Sequence, residues 1–484
     1  MKRKMSTGLV HGVFDVVHHG HILHFKEAKK KVNYLICSVT SDNFVNKGPN
    51  KPLFKSSERI EFLESLKFFD KVVISDASTA VKNIIKYKPN YYFKGIEYKK
   101  TVLKDQNLKK EIKALKNNQG QIVFTNTKVS SSSKIINHDF GFLSKSTISQ
   151  IENLKNDVKK FKENKFINMS SYNILIGENI IDKYLFTEIS GKSNKSPIVS
   201  TLKKNEIGYA GGILVVANLF AEFVNRVSLL SFSGKDYTTT IKKYLSKKVK
   251  QLKVDILNYP IIKTRILDHY SKNKLFQITE NEDYKFKQSS INKVVNFIQK
   301  KATLYENIIF FNYGYQLTDK KILNCLKKYK SKILINFQTN SYNYGFNLLN
   351  KFPSAKFASM DELEFRLAVG DKHTNIKELI RKNINVLNRY KTSIITCGKN
   401  GAYLIEKKKI KHFEPIYKNL IDTTGCGDIF MTTFIIYKYF YKFSSEFSMI
   451  VSHIAAGIHG NELGNNLNLD KDKLNKIITK IINV

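Results

Sequence analysis

Over residues 7–140 the chain alternates short apolar runs with longer stretches in which apolar residues recur every three or four positions. The runs are GLVHG, NYLICSVT, KVVIS, YYFKG and QIVFT. Each is short, rich in β-branched or aromatic residues and bounded by polar ones, which predicts buried strands. Segments such as HGHILHFKEAKK and SSERIEFLESLKF lie between them and carry helical spacing. This alternation predicts a parallel sheet joined by right-handed crossovers, an α/β fold of the Rossmann-like kind. The character changes over residues 141–170, where ISQIENLKNDVKKFKENKF reads as a polar, weakly amphipathic helix without strand partners, a linker. A second α/β pattern begins after Tyr172 with NILIGENIID. It runs on through VSLLSFSG, NIIFFNYG, KILINFQTN and TSIITCG to the helical stretch DIFMTTFIIYKYF. The expected division is therefore 1–140, 141–170 and 171–484, with the last part, roughly 310 residues, forming one large domain.

Composition changes this picture little. The 484 residues are 42% hydrophobic and 25% charged, as in an ordinary soluble protein. No apolar run approaches the ~20 residues of a membrane span. The basic start lacks the apolar core of a signal peptide, so a cytoplasmic protein without membrane contact is expected. The four cysteines, Cys37, Cys325, Cys397 and Cys426, form no C-x-x-C pair and suggest neither zinc nor a disulfide framework. The net charge of +40 raises a nucleic-acid-binding reading. The lysines are spread through the whole chain, however, and come with abundant Asn and Ile, a mix that AT-rich coding produces. No nucleic-acid motif accompanies them, so the expected partners are anionic small molecules.

Chemistry enters first at Gly12-Val-Phe-Asp-Val-Val-His-His-Gly-His21, which follows the first strand and opens the first helix. A helix N-terminus offers free N–H groups and the positive end of its dipole to phosphate. Gly12 and Gly20 allow close backbone approach. His18 and His21, three apart on the first turn, can aim both imidazoles at one phosphate group and stabilise the charge that develops when it is attacked. The segment resembles the G-x-F-D-x-x-H-x-G-H signature of cytidylyltransferase-like nucleotidyltransferases. That resemblance implies nucleotide or phosphate contacts from Gly12, Phe14, Asp15 and Gly20. By the same resemblance Lys47, Arg59, Lys94 and the serines Ser131, Ser132 and Ser133 contact the nucleotide or its phosphates.

The second constellation is Asp422-Thr-Thr-Gly-Cys-Gly-Asp428, which leads into an apolar helix. Backbone N–H groups of Gly425, Cys426 and Gly427 would form a nest for the oxygens of a transferring phosphate. Asp428, at its end, is placed to take a proton from an attacking hydroxyl. Two readings of the Cys426 thiol are open: lowered in pKa by the nest, or packed as a small apolar group. The segment resembles the D-T-x-G-A-G-D signature of PfkB (ribokinase-like) sugar kinases, with Cys426 in place of Ala. That resemblance implies nucleotide contacts from Thr396, Gly398 and Gly401. It assigns Glu364, in Asp361-x-x-Glu364, to Mg²⁺ through water, and Asp182, Gly211 and Gly212 to the sugar. Val215 and Asn312 depart from the family pattern in the acceptor site, so an unusual acceptor or a weakened kinase is expected.

The pairing of the two domains resembles the bifunctional ADP-heptose synthases, with the domain order reversed. It implies a kinase that phosphorylates a heptose-like sugar or sugar phosphate with MgATP. It also implies a transferase that joins a nucleoside monophosphate from ATP or CTP to a sugar 1-phosphate, and a homodimer. An alternative keeps the transferase active and leaves the kinase fold as a binding or dimerisation module.

Overall fold

The computed structural model describes residues 6–45, 52–100, 105–126, 143–163, 173–193, 195–224, 227–231, 238–253, 259–352, 354–466 and 469–482. The chain divides into two compact units, 1–148 with 476–484, and 149–475.

The first unit holds five strands: β1 (Thr7–Gly12), β2 (Tyr34–Thr40), β3 (Lys71–Ser75), β4 (Tyr91–Gly95) and β5 (Gln121–Thr125). Their order is β3-β2-β1-β4-β5, with every pair parallel. The crossovers carry α1 (His19–Lys31), α2 (Ser56–Glu64), α3 (Val81–Tyr87) and α4 (Gln106–Asn117). Alternation along the strands divides the core in two. Val10, Cys37 and Phe93 pack on one face with Phe14 and Phe25, while Leu9, Ile36 and Tyr92 pack on the other with Ile84 and Leu115. The chain reverses direction across the sheet between β1 and β4, so the carboxyl end of β1 opens into a crevice at the switch point. α1 begins there.

Helices α5 (Lys145–Glu152) and α6 (Lys155–Lys162) follow. α6 belongs to the second unit. Phe161 packs on Phe443 and Phe447, with ring centroids 6.4 and 5.7 Å away. Lys160 donates to the carbonyls of Tyr441 and Lys442 at 2.7 and 2.8 Å.

The second unit has a nine-stranded sheet in the order β10-β9-β6-β13-β14-β15-β16-β17-β18. Its strands are β6 (Asn173–Gly177), β9 (Val227–Ser231), β10 (Lys250–Lys253), β13 (Asn307–Asn312), β14 (Ile333–Phe337), β15 (Phe357–Asp361), β16 (Thr392–Thr396), β17 (Ala402–Glu406) and β18 (Lys409–Phe413). The sheet is parallel except for β17 and β18, which turn back at one edge. Its helices are α7 (Ile213–Phe223), α8 (Thr238–Tyr244), α9 (Gln288–Lys301), α10 (Lys320–Lys327), α11 (Glu362–Val369), α12 (Ile376–Lys382), α13 (Ile384–Leu387), α14 (Cys426–Ile435) and α15 (Ser445–Gly460); α16 (Lys471–Ile482) begins in this unit and ends in residues grouped with the first. A separate four-stranded sheet is built from β7 (Asn179–Lys192), β8 (Val199–Gly212), β11 (Ile261–Asp268) and β12 (Lys274–Glu280), in the order β12-β11-β7-β8. Among the described residues no helix is long and apolar enough to cross a membrane.

Candidate functional site

In the first unit, His18 is the N-cap of α1. Its Nδ1 accepts the Gly20 N–H at 3.2 Å, and His21 Nδ1 accepts the His18 N–H at 3.4 Å. The two rings stack with centroids 4.0 Å apart. In its neutral form an imidazole whose Nδ1 accepts carries its proton on Nε2, which in His18 is buried. Capping thus fixes the tautomer that a phosphate oxygen needs. Phe14 is buried in the core with φ +49°, and its ring meets the His21 ring edge-on at 5.5 Å. A left-handed phenylalanine is a strained residue, and here it props a candidate catalytic ring. A Cβ on Gly12 would lie 2.9 Å from the Phe14 ring, which explains the glycine.

Other expected contact residues of this unit are engaged within the protein. Asp15 is buried and accepts the Leu53 and Phe54 N–H groups at 2.8 and 3.1 Å, so it holds a turn. Arg59 is fully buried, with all three guanidinium nitrogens engaged. They donate to Phe54 O at 2.9 Å, Val13 O at 2.5 Å and Asp42 Oδ1 at 2.6 Å. Its acceptors are the backbone just after Gly12, the carbonyl just before α2 and the Asp42 carboxylate, so it braces the motif loop. Lys94 lies 3.4 Å from Glu111 and about equally far from the rings of Tyr92 and Tyr98, at 5.1 and 5.0 Å. Its ammonium is largely shielded, on the α4 face of the sheet. Lys47, Ser131, Ser132 and Ser133 lie outside the described residues.

In the second unit the acceptor residues converge. Asp182 on β7 is buried and accepts Arg265 Nη1 at 2.5 Å and Asn465 Nδ2 at 2.8 Å. A Cβ on Gly211 would lie 2.3 Å from Asp182 Oδ2, so the glycine makes room for that carboxylate. Gly212 caps α7 with φ +53°. Val215 lies inside α7, fully buried among apolar residues, and Asn312 is tied to Asn347 by a 3.1 Å hydrogen bond. Both departures from the family pattern are absorbed by packing.

At the phosphoryl-transfer end, Gly425 has φ +78°, and a Cβ there would sit 2.0 Å from Asn465 Oδ1. Gly427 faces open space. Cys426 departs from the nest expectation. Its N–H donates to Thr423 O at 3.2 Å and its thiol turns inward, donating to Ala456 O at 3.5 Å. Burial, with the charges of Asp422 and Asp428, pushes the thiol up to about 12. It is the packed apolar group rather than a nest thiolate. Asp422 is buried and accepts Lys274 Nζ at 2.6 Å, the Tyr184 hydroxyl at 2.9 Å and the Gly464 N–H at 3.0 Å. Burial opposes its charge, but the Lys274 ammonium and Thr424 outweigh it and hold the carboxyl well below the usual range. Asp428 has the opposite balance: burial pushes it up to about 7, against hydrogen bonds from Gln338 and Tyr313.

Glu364 accepts the Thr339 N–H and the Asp361 N–H, both at 2.6 Å, while Asp361 Oδ1 caps α11 from the other side. Burial and the neighbouring Asp361 push Glu364 up to about 8. Thr396 ends β16, and Gly398 and Gly401, at φ +52° and +86°, shape the turn into β17. A Cβ on Gly401 would strike Phe413 O at 2.0 Å.

Motif reading passed over Lys263, Arg265 and Lys274, which belong to the four-stranded sheet. Lys263 and Arg265 are two apart on β11, with Thr264 between them, in register with Asp182 and Tyr184 of β7. The period of two, K-T-R, was the signal that could have placed them on the carboxylate-bearing face. Gln338, Tyr313 and Asn465 carried no such signal.

Residues 9–138 match the Cytidylyltransferase-like family, and residues 170–436 match the pfkB family carbohydrate kinases. The bifunctional protein HldE of Campylobacter fetus is 39% identical over 89 residues, which are 18% of this chain and 19% of that protein. The chain thus spans about a fifth of the length of this curated relative. The FAD synthase of Thermoplasma volcanium is 31% identical over 99 residues, 20% of this chain and 67% of that one. Phosphofructokinase-2 from Escherichia coli, solved in complex with potassium, superposes with a TM-score of 0.52 at 12% identity, covering 65% of this chain and 99% of its own. That likeness fixes the fold of the second unit. With more than half of its length matched by one family, the chain belongs to the pfkB carbohydrate kinases and carries a cytidylyltransferase-like unit ahead of the kinase.

Proposed function

We propose that this protein is a bifunctional enzyme of sugar-nucleotide synthesis. The kinase unit transfers the γ-phosphoryl group of MgATP to an anionic, heptose-like sugar phosphate. The transferase unit joins a nucleoside monophosphate, from ATP or CTP, to a sugar 1-phosphate and releases pyrophosphate. Four free cysteines accord with a reducing, cytoplasmic setting.

The anionic acceptor rests on one observation. Lys263 is half-buried beside Asp182, Arg265, Glu282 and Asp428, 5.7 Å from the Tyr315 ring centroid, and makes no ion pair or hydrogen bond among the described residues. Burial pulls its pKa down. A cation withdrawn from water with no hydrogen bond or close ion pair is costly, and an acceptor phosphate would supply both. Lys263→Met should therefore reduce kcat/KM for phosphorylated acceptors by roughly 30-fold or more. Turnover of neutral sugars should change far less, and an equal loss on both would remove Lys263 from the acceptor contact.

Glu364 fits the outer-sphere role for Mg²⁺. Each of its oxygens already accepts a backbone N–H, which leaves one lone pair per oxygen for metal-bound water. Among the described residues no group of three or more His, Cys, Asp or Glu could cage a metal, so the triphosphate itself would supply the inner ligands. The whole reading is tested by incubating the protein with ATP, CTP and a panel of heptose and hexose phosphates. Mass spectrometry should find a sugar bisphosphate and a nucleotide sugar.

A second copy of the chain is the proposed partner. The four-stranded sheet leaves Ile198, Val199, Leu202, Phe276 and Ile278 more than half exposed, at 59, 65, 55, 59 and 52%. These side chains lie on or beside the two outer strands, β8 and β12, and pairing with a second copy would cover such an edge. Light scattering should give twice the chain mass, and Phe276→Lys should shift it toward the monomer.

A further inference from the structure

Asp428 is the third residue of α14, where an aspartate ordinarily reaches back to its own helix start. Instead it reaches across to the main sheet. Gln338 Nε2 donates to Asp428 Oδ1 at 2.6 Å, and the Tyr313 hydroxyl donates to the same oxygen at 3.3 Å. The other oxygen, Oδ2, accepts no hydrogen bond among the described residues. We propose that Gln338 and Tyr313 are positioning residues, which hold Oδ1 of Asp428 and leave Oδ2 as the atom that takes the acceptor's proton. The proposal rests on the kinase reading. In that step the acceptor oxygen forms a bond to the γ-phosphorus, the bond from phosphorus to the ADP oxygen breaks, and the hydroxyl proton passes to Oδ2.

The backbone brings the two donors together by register. β13 and β14 are neighbours, with Asn312 opposite Phe337, so the next residues on each strand, Tyr313 and Gln338, leave the sheet side by side. A lattice of asparagine amides then fixes them. Asn340 and Asn343 donate to Tyr313 O at 2.9 and 3.0 Å, and Asn347 donates to Gln338 O at 2.8 Å and to Asn312 O at 3.1 Å. The residue after Gln338 serves the second carboxylate of the site: the Thr339 N–H donates to Glu364 Oε1 at 2.6 Å. One dipeptide thus anchors both the candidate base and the candidate metal-water residue.

The chemistry of the donors matters as well as their place. Asp428 is faced by Lys263 and Asp182 from the four-stranded sheet, by Tyr313 and Gln338 from the main sheet and by Glu364 and Cys426 from the helix starts. Of these only Lys263 is a cation. An arginine in place of Gln338 would hold the carboxylate equally well but lower its pKa and weaken it as a base. A neutral amide and a phenol fix its direction and leave it near the working pH, where general bases are most effective.

The test uses the full chain and two readouts. The first is the titration of the Asp428 carboxyl in the ligand-free protein, followed by infrared difference spectroscopy with Asp428→Asn as the blank. The second is the pH profile of kcat on any sugar phosphate of the panel that is turned over. Both hydrogen bonds favour the ionised carboxylate. Gln338→Leu should therefore move the midpoint, and the acid limb of kcat, up by about one pH unit. At pH 7, where the wild-type carboxyl is about half ionised, kcat should fall about fivefold, with KM little changed. Tyr313→Phe should move the midpoint less, because its bond is longer. Gln338→Asn, too short to reach, should behave as Gln338→Leu and serves if the leucine variant does not fold. An unchanged midpoint in folded Gln338 variants overturns the proposal, whatever the turnover. A shifted midpoint in a protein that phosphorylates nothing upholds the contact and defeats the kinase reading instead.

Discussion

Asp428→Asn is expected to reduce phosphorylation of every acceptor by about 10²–10⁴-fold, the range for a lost general base. It should leave nucleotidyl transfer from a supplied sugar 1-phosphate intact, because the transferase residues belong to the other compact unit. The substitution keeps the shape of the side chain and still accepts from Gln338 and Tyr313, so the loss would report proton transfer rather than packing. A folded variant that lost both activities would contradict two independent sites. The same variant carries a stability signature whose sign follows from the buried carboxyl. Burial raises Asp428 from 3.8 to about 7, so the folded state holds a proton that the unfolded chain releases near pH 4. Its contribution to stability is therefore full below pH 4 and is lost as the pH rises through 7. Asparagine has no proton to lose. Relative to the wild type, Asp428→Asn should gain in Tm between pH 5 and pH 8. Glu364, raised to about 8, adds a pH dependence of the same sign to both proteins and does not mask the difference.

The first unit's sheet was legible because its strands are buried on both faces. Leu9 and Val10, or Tyr92 and Phe93, point to opposite sides and are both apolar, so the run stands out from the polar helices around it. The four-stranded sheet of the second unit was not legible. β8 reads VSTLKKNEIGYAGG, and most of it is exposed, so no core demands an apolar face. β12 is exposed along nearly its whole length as well. A sheet whose outer strands are largely exposed has little hydrophobic signature, and its cations look like ordinary surface lysines. The motif residues themselves sat where the signatures put them, at the openings of α1 and α14. What the signatures could not convey is which atoms are already spoken for. Arg59 has the right residue type but spends its guanidinium on Val13, Phe54 and Asp42. Cys426 has the right position, yet its thiol turns to Ala456. Gln338 shows the converse: no motif marks it, and tertiary packing delivers it to Asp428.

His18→Ala and His21→Ala are expected to lower kcat of nucleotidyl transfer by about 10²–10³-fold each, the usual effect of losing one preorganised donor. KM should change less, since the contact strengthens as negative charge builds on the attacked phosphate. The structure complicates the alanine variant at 18. His18 also caps α1, and removal of an N-cap costs about 1 kcal/mol of local stability. Part of any rate loss could then come from fraying of the helix start. His18→Asn separates the two roles. Asparagine is among the best N-caps, so its side-chain oxygen can accept the Gly20 N–H as His18 Nδ1 does. It cannot place an N–H where the imidazole Nε2–H lies, because the side chain is shorter and its amide is oriented by the cap. His18→Asn should therefore melt with the wild type and still lose most of its transferase rate, whereas kinase activity should be unchanged in all three variants. Wild-type kcat in His18→Asn would reduce His18 to a cap. Restoration of the rate by added imidazole in His18→Ala would point to the same missing donor from the other direction.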